Sequence, residues 1–300
     1  MLLLAHGSPD AAEEIPEYLQ RVTSGRRLPQ HVIDEITHRY SLVGFSPLTC
    51  WTLQQGHDLA KTLQVPVYVG MRNWKPFIPD VVRTMHSEGV QRAVVICLAP
   101  QNSRTSVGLY RSAVEGEELP FQIDFIESWH DHPLLAKALA EKLSEGWHSA
   151  CSEAGKRIPV IFTAHSVPQR TIADGDPYEA QAHQTAELVA REVGLQSADW
   201  AFAFQSQGMS GGPWIGPTVE ETILRFKEEG HSGVFVQPIG FLCDHVEILY
   251  DIDIAFKQFA ADHGMRLWRA ESLNASPTLI AALADIARSR MKSASYQLEA

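Results

Sequence analysis

The sequence predicts an α/β protein made of two similar doubly wound parallel-sheet domains with an active-site cleft between them. Eight short apolar runs have the length and composition of buried strands, and segments of helical periodicity separate them. This alternation is typical of a parallel sheet covered by helices on both faces. An apolar run that ends in Ala-His occurs in each half, at residues 2–6 and 160–165, which indicates two related domains.

The predicted elements follow one another along the whole chain. The strands are residues 2–5, 65–69, 93–98, 121–125, 159–163, 200–204, 233–236 and 265–268. Helical periodicity is clear in residues 77–86, 134–152, 179–193, 219–228 and 246–259. A second similarity between the halves, a strand that ends near a proline at 94–100 and at 234–238, occurs in the same order along the chain as the first. We therefore predict an N-terminal domain at 1–140, a C-terminal domain at 141–275 with the candidate catalytic residues, and a helix at about 276–300 that packs back on the first domain.

Composition and charge narrow the classes of function. No run approaches the roughly 20 apolar residues that cross a bilayer, so we expect no stable membrane insertion. No leader-like segment precedes the first strand, which favours a cytoplasmic protein, and we expect a monomer. The net charge of -11 disfavours a nucleic-acid partner and favours a small-molecule substrate. The sequence contains no GxxxxGK[ST] phosphate-binding loop, so no nucleotide cofactor is expected. The glycine-rich stretch 208–217 is expected to be a shaped loop.

Two histidines follow predicted strands at the edge where α/β sheets bind ligands. His165 follows the strand at 159–163, and His6 follows the first strand directly. Because ligands bind outside the carboxyl ends of parallel strands, we expect both side chains at the cleft. A histidine that only forms a hydrogen bond at a strand end is the alternative for His165, and the residues alone leave the two open.

An acidic segment, 240–253, follows the seventh predicted strand. Asp244 and Glu247 have the spacing of a capping box, so Glu247 could simply close the start of a helix. Glu247 and Asp251 are four residues apart and would share one helix face, where like charges are destabilising unless a cation or a proton compensates them. The apolar face of this helix is expected to consist of Val246, Leu249 and Ile252.

Four segments in order resemble the ferrochelatase family. The segment 163–168, Thr-Ala-His-Ser-Val-Pro, is similar to its catalytic histidine motif, and 240–253 to its acidic helix motif. The stretch from Gln205-Ser206 to Pro-Trp-Ile-Gly-Pro at 213–217 and the turn Gly-Asp-Pro-Tyr at 175–178 resemble two more family motifs. The resemblance covers nearly the whole chain. It implies a Rossmann-like chelatase fold and the insertion of Fe²⁺, the substrate metal, into a porphyrin in haem biosynthesis.

The resemblance also implies roles for single residues. His165 and Glu247 are expected to face each other across the porphyrin centre as metal ligands and proton acceptors, and which of them takes the pyrrole protons stays open. His6 stands at the position of an axial iron ligand in the coproporphyrin branch of the family. For Arg39, charge-assisted hydrogen bonding to a propionate is the physical reason for a substrate contact. Contacts with the macrocycle and its carboxylates are implied for Arg39, Tyr40, Ser46 and Tyr110.

Two motifs favour coproporphyrin III as the substrate, with Fe-coproporphyrin III (coprohaem) as the product. They are Ala-His-Gly-Ser-Pro at 5–9 and Leu-Ala-Pro-Gln at 98–101, which resemble the coproporphyrin branch. Thr23 stands where a basic residue is expected, and Arg26 and Arg27 lie nearby, so one carboxylate contact stays open. The alternatives are a protoporphyrin IX ferrochelatase, a cobalt or nickel tetrapyrrole chelatase, and a non-catalytic haem carrier. The resemblance also leaves room for a downstream haem-pathway enzyme as a partner.

The sequence differs from some family members in two places, and these differences predict that an outer metal site and an iron–sulfur cluster are absent. By position, Asn73 and Ala255 stand where some relatives hold a second, outer metal on a histidine and a glutamate, so no outer metal site is expected. The four cysteines form no CxxC pair, and none follows Cys243, so no iron–sulfur cluster is expected.

Overall fold

The computed structural model describes residues 1–116, 119, 121–207 and 212–296, the last five of these without their side chains. The chain divides into two compact units. The first unit comprises 1–100, 106–129 and the C-terminal segment from Asn274, and the second comprises 101–105 and 130–273. The main division therefore falls at 129/130 and not at 140/141, because one continuous helix, Pro133–Ala154, lies wholly in the second unit.

The first unit is built on a four-stranded parallel sheet. Its strands are β1 (Leu2–Ala5), β2 (Tyr68–Met71), β3 (Arg92–Cys97) and β4 (Gln122–Ile126), in the spatial order β2-β1-β3-β4. The helices up to β4 are α1 (Ile15–Val22), α2 (Gln30–Leu42), α3 (Leu48–Leu63), α4 (Ile78–Ser87) and α5 (Val107–Glu115). All four residues of β1 are buried, as expected of a strand covered on both faces.

The second unit repeats this plan. Its strands are β5 (Val160–His165), β6 (Trp200–Gln205), β7 (Gly233–Pro238) and β8 (Arg266–Arg269), all parallel, in the order β6-β5-β7-β8. The helices are α6 (Pro133–Ala154), α7 (Gln169–Ala173), α8 (Tyr178–Val193), α9 (Val219–Glu228), α10 (Val246–Leu249) and α11 (Lys257–Asp262), with a π-helical segment at Asp251–Phe256 between the last two. Helix α12 (Pro277–Tyr296) returns to the first unit and packs on α3.

The shared strand order confirms the predicted fold class. Strands β1 and β5 occupy equivalent places in their sheets, and so do β3 and β7. These are the two pairs of strands whose sequences echo each other. In each sheet the strand order reverses between two neighbouring strands, β1 and β3 in the first sheet and β5 and β7 in the second. Open α/β sheets bind ligands at the carboxyl edge beside such a switch point.

The chain holds no helix, among the residues that the structure describes, with the length and hydropathy needed to cross a membrane.

A tight backbone approach fixes the first turn after β1, where Gly7 has φ +83°. A Cβ atom on Gly7 would lie 2.8 Å from the Trp74 backbone nitrogen, whereas at Gly25, which has the same φ, no atom lies within 4 Å. We expect Gly25→Ala to cost about 1 kcal/mol of unfolding free energy through left-handed strain alone. Gly7→Ala should cost about 2 kcal/mol more, because Trp74 must move. Denaturant unfolding of the two variants checks this, and equal losses would contradict it.

Candidate active site

His165 meets Glu247 at the carboxyl edge of the second sheet. His165 is the last residue of β5, and Glu247 lies in α10, which follows β7. The His165 Nε2 and Glu247 Oε2 atoms are 3.5 Å apart, and the two side chains are 35% and 38% exposed. The strands that lead to them flank the switch point of this sheet. The structure therefore brings together the two residues predicted to carry the chemistry.

The backbone determines which nitrogen of His165 carries a proton. Its Nδ1 lies 2.5 Å from the carbonyl oxygen of Ser166, and a carbonyl can only accept a hydrogen bond. In the neutral ring Nδ1 is thus the protonated nitrogen, and Nε2 directs a lone pair toward Glu247. An imidazole lone pair and a carboxylate oxygen at 3.5 Å repel each other unless a proton or a cation lies between them. Such a pair is suited to taking up a proton and to binding a divalent cation.

The Gly-Asp-Pro-Tyr turn holds the end of β5 in place. The Tyr178 hydroxyl donates to the carbonyl oxygen of His165 at 3.0 Å. Burial, together with the charge of Glu247, raises the pKa of Tyr178, so the hydroxyl stays a donor. Asp176 caps the turn by accepting from the Tyr178 amide, and its other oxygen accepts from Ser103 Oγ at 3.1 Å. This motif was recognisable in the sequence, but its structural role was not.

The end of β6 supports the segment that carries Glu247. Gln205, which pairs with His165 in the sheet, donates from Nε2 to the Glu247 carbonyl oxygen at 3.2 Å and accepts from the Thr163 hydroxyl. The neighbouring Ser206 has φ +60° and donates to Asp251. The Gln-Ser motif thus connects β5 with the acidic segment. Residues 208–211 of the predicted shaped loop lie outside the described residues.

The acidic segment differs from the prediction in two ways. It is not one regular helix, because α10 is followed by a π-helical segment, and Asp251 lies in the latter. The wider π turn changes the periodicity, so the buried face is not the expected one. The buried residues are Ile248, Ile252 and Phe256, whereas Val246 and Leu249 are half-buried.

The capping box that was the alternative role for Glu247 does not form. His245, not Asp244, is the N-cap residue of α10, and no side chain caps this helix. The Asp244 carboxylate instead accepts from Arg269 Nη1 at 3.2 Å and from Ser272 Oγ at 2.7 Å. Glu247 therefore does not close the helix, and its carboxylate is directed to His165.

Arg269 joins the two ends of the acidic segment. Its guanidinium donates from Nε and Nη2 to the two oxygens of Asp253, at 3.0 and 2.7 Å, while Nη1 reaches Asp244. The Arg269 side chain is only 12% exposed. A bidentate, largely buried pair of this kind is geometrically specific. It holds residues on both sides of Glu247 against the end of β8.

A further histidine, His245, lies two residues before Glu247. Its Nδ1 donates to the Cys243 carbonyl oxygen at 2.9 Å, and its ring lies 4.6 Å from that of Phe241. Burial lowers the pKa of His245, although the charge of Glu247 acts in the opposite direction. His245 is therefore a neutral imidazole beside the His165–Glu247 pair. The only signal for it was its place within the Asp-His-x-Glu pattern.

His6 lies in a polar and aromatic cluster at the carboxyl edge of the first sheet. Its Nε2 is 3.1 Å from the Tyr18 hydroxyl, and the Asn73 amide nitrogen lies 3.1 Å from the same Nε2. The Tyr18 ring packs edge-on against both His6 and Tyr40. The Tyr40 hydroxyl in turn lies 3.3 Å from Ser8 Oγ. The structure thus brings His6 and Tyr40 together, with Tyr18 and Asn73 as neighbours that the sequence analysis did not place there.

The other predicted substrate residues have partners of several kinds. Arg39 forms an ion pair with Glu35 one turn earlier on α2. Ser46 is buried, and its hydroxyl accepts from the Leu48 amide at the start of α3. Tyr110 is 6% exposed and belongs to the core of the first unit. Thr23 donates to the Leu19 carbonyl oxygen at the end of α1. Their contacts with a substrate stay predictions.

Within the described ranges, no group of three or more His, Cys, Asp or Glu side chains is arranged to hold a metal ion. The four cysteines are free thiols, and Cys97 and Cys243 are buried.

Comparison with known proteins identifies the family of this chain. A sequence model of ferrochelatase matches residues 1–291. The chain belongs to the ferrochelatase family. The ferrochelatase of Acidobacterium capsulatum is 57% identical over 96% of this chain and 93% of its own length. The coproporphyrin III ferrochelatase of Geobacillus sp. strain WCH70 is 35% identical over 97% of both chains.

A solved structure agrees in fold. SirB from Bacillus subtilis with Fe³⁺ superposes with a TM-score of 0.57 at 11% identity, over 95% of this chain and 92% of that one. The predicted family and the predicted two-sheet chelatase fold are confirmed. As a ferrochelatase the protein inserts Fe²⁺, its substrate metal, into a porphyrin in haem biosynthesis.

The Arg269 network makes a prediction about stability and pH. Burial raises the pKa of Asp253, but hydrogen bonds and charge from Arg269 and Lys257 outweigh this and lower it overall. The stabilisation is therefore present above the unfolded pKa of about 3.9 and is lost as pH falls through the lower folded value. At pH 7 Asp253→Asn should lower the free energy of unfolding by about 2 kcal/mol.

The difference between Asp253→Asn and wild type should shrink as the pH falls below about 4. Urea unfolding at several pH values measures it. The matched control is Asp262→Asn, since Asp262 is exposed and only accepts a hydrogen bond from Gln258. A pH-independent difference for Asp253→Asn would contradict the electrostatic account.

Proposed function

We propose that this ferrochelatase acts on coproporphyrin III and forms Fe-coproporphyrin III, with His165 and Glu247 as metal ligands and proton acceptors. The observation that carries the proposal is the 3.5 Å separation of His165 Nε2 and Glu247 Oε2 at the carboxyl edge of the second sheet. His6, at the equivalent edge of the first sheet, is proposed as an axial iron ligand in the product complex.

The reaction needs acceptors and loose metal ligands but no nucleophile. Two pyrrole protons must leave the ring, and a partly dehydrated Fe²⁺ must take their place. The Nε2 lone pair of His165 and the carboxylate of Glu247 supply two acceptors, and imidazole and carboxylate also bind Fe²⁺. His165 Nδ1 donates to the Ser166 carbonyl oxygen, and Tyr178 and Gln205 donate to the backbone carbonyl oxygens of His165 and Glu247. These hydrogen bonds limit the movement of the pair while protons and metal change places. Pre-organisation of this kind lowers the reorganisation cost of the chemical step.

The choice of coproporphyrin III rests on motifs and relatives. The motifs at 5–9 and 98–101 resemble the coproporphyrin branch, and several relatives at 32–35% identity carry the name coproporphyrin III ferrochelatase. Coproporphyrin has four propionates and protoporphyrin has two, so the former suits a polar site. The second candidate, protoporphyrin IX, is favoured by Thr23, because its hydroxyl closes α1 at the position where a basic carboxylate contact is expected.

Replacing either His165 or Glu247 should lower the turnover rate without changing the affinity for the porphyrin. We expect His165→Ala and Glu247→Gln to lower kcat by about 10²- to 10⁴-fold, because each removes an acceptor at the ring centre. Porphyrin affinity should change little. Anaerobic incubation with Fe²⁺, followed by loss of porphyrin fluorescence, measures turnover, and fluorescence titration without metal measures affinity.

His148→Ala and Glu187→Gln are matched controls, since both residues are exposed helix positions of the same unit. They should keep full activity. Near-normal turnover of His165→Ala would refute its role. A parallel loss of affinity and activity in Glu247→Gln would make Glu247 a porphyrin-binding residue instead.

Substrate specificity is tested by the ratio of kcat/KM for coproporphyrin III and protoporphyrin IX in the same detergent. We expect the ratio to favour coproporphyrin III. A preference for protoporphyrin IX would overturn the proposed substrate and leave the family assignment intact.

A further inference from the structure

Both ring nitrogens of His6 have polar neighbours within the first unit. Nε2 lies 3.1 Å from the Tyr18 hydroxyl and 3.1 Å from the side-chain amide nitrogen of Asn73. Nδ1 lies 3.2 Å from the same amide nitrogen. A hydroxyl can donate or accept a hydrogen bond, whereas an amide nitrogen can only donate. Each nitrogen of the imidazole is therefore within hydrogen-bond distance of a donor that belongs to the chain itself.

The two neighbours are buried, whereas the imidazole is only half-buried. Tyr18 is 8% exposed, and its ring packs edge-on against the rings of His6, Tyr40 and Trp74. Asn73 is 3% exposed, and its backbone amide donates to the His6 carbonyl oxygen at 2.9 Å. His6 itself is half-buried. The His6 side chain is therefore the part of this cluster that can change its orientation at the lowest cost.

Iron would compete with these neighbours for the same nitrogen. Nε2 is the ring nitrogen farther from the backbone, so it can reach farther toward a ligand. The tautomer that binds a metal through Nε2 has its lone pair there. In that tautomer the Tyr18 hydroxyl and the Asn73 amide both donate to Nε2. An Fe–N bond uses the same lone pair, so these hydrogen bonds must break before it forms.

We infer that Tyr18 and Asn73 form a latch on His6 that weakens its bond to iron. The inference rests on the proposed role of His6 as axial ligand, and it adds the positioning residues that limit this role. Ligation exchanges the hydrogen bonds at Nε2 for one Fe–N bond, while the imidazole stays neutral and no electron is transferred. When the product leaves, the hydrogen bonds form again. The latch thereby favours release of the iron porphyrin.

The competing explanation is that Tyr18 and Asn73 support His6 as a ligand. A hydrogen bond on the nitrogen that does not bind the metal fixes the ring and strengthens ligation. Such support places its contacts on one nitrogen and leaves the other to the metal. Here Nε2 has two contacts and Nδ1 has one, which favours the latch. The two explanations predict opposite signs, because loss of a latch tightens iron binding and loss of a support weakens it.

The experiment measures dissociation constants for iron coproporphyrin III and for metal-free coproporphyrin III by absorption titration in one detergent. Their ratio isolates axial ligation, because the two compounds have the same ring and carboxylates, and it does not depend on the fraction of folded protein. We expect Tyr18→Phe and Asn73→Leu each to tighten the iron complex about 3- to 10-fold relative to the metal-free ring, as for loss of one competing hydrogen bond. Both variants keep a side chain of similar shape. His6→Ala should weaken the iron complex and shift its absorption spectrum.

The matched control is Tyr68→Phe, since the Tyr68 hydroxyl donates to Glu88 at the amino end of β2 in the same sheet. It should leave the ratio unchanged. Combined with His6→Ala, the substitutions at Tyr18 and Asn73 should have no further effect on the ratio.

A weaker or unchanged iron complex in either Tyr18→Phe or Asn73→Leu would overturn the latch, and so would tightening that persists without His6. If His6→Ala changes neither the ratio nor the spectrum, the proposed axial role fails, and the latch fails with it. If wild type prefers protoporphyrin IX, only the proposed substrate fails, and the same ratio measured with protoporphyrin IX decides about the latch.

Discussion

The second unit holds two hydrogen-bond acceptors, His165 Nε2 and Glu247 Oε2, only 3.5 Å apart. The structure around them depends on this electrostatic constraint. Without a proton or a cation the pair is repulsive, so the fold must hold it from outside. Gln205 does this through the Glu247 backbone, and Arg269 through the residues on either side of it. The stability of these buried polar contacts allows an unfavourable pair to persist at the carboxyl edge of the sheet.

The two sheets have the same topology, but the residues at their carboxyl edges differ. Strands β1 and β5 are equivalent in their sheets, and a histidine stands at the carboxyl end of each. His165 has a carboxylate as its neighbour, whereas His6 has the Tyr18 hydroxyl and the Asn73 amide. His6 therefore faces neutral hydrogen-bonding groups, and His165 faces an anionic acceptor. The duplicated fold thus offers two histidines with different chemistry.

The local sequence pattern was sufficient to predict the fold class. It failed to predict side-chain contacts where residues distant in sequence bind the same side chain. The eight strands and the echo between β1 and β5 were predictable because buried parallel strands leave apolar runs. The capping box suggested by the spacing of Asp244 and Glu247 does not form, because Arg269 and Ser272, distant in sequence, bind Asp244. The apolar face expected for the acidic segment was right only for Ile252, because a π turn departs from the 3.6-residue period.

Net charge and local charge act on the two substrates in opposite ways. An overall charge of -11 favours the approach of Fe²⁺ and opposes that of a porphyrin with several carboxylates. At physiological ionic strength the screening length is about 8 Å, so the general repulsion fades quickly while contacts in a protected site do not. A few cations placed at the binding edge can therefore outweigh a surplus of distant acids. An acidic chain can in this way attract the metal and still hold an anionic macrocycle.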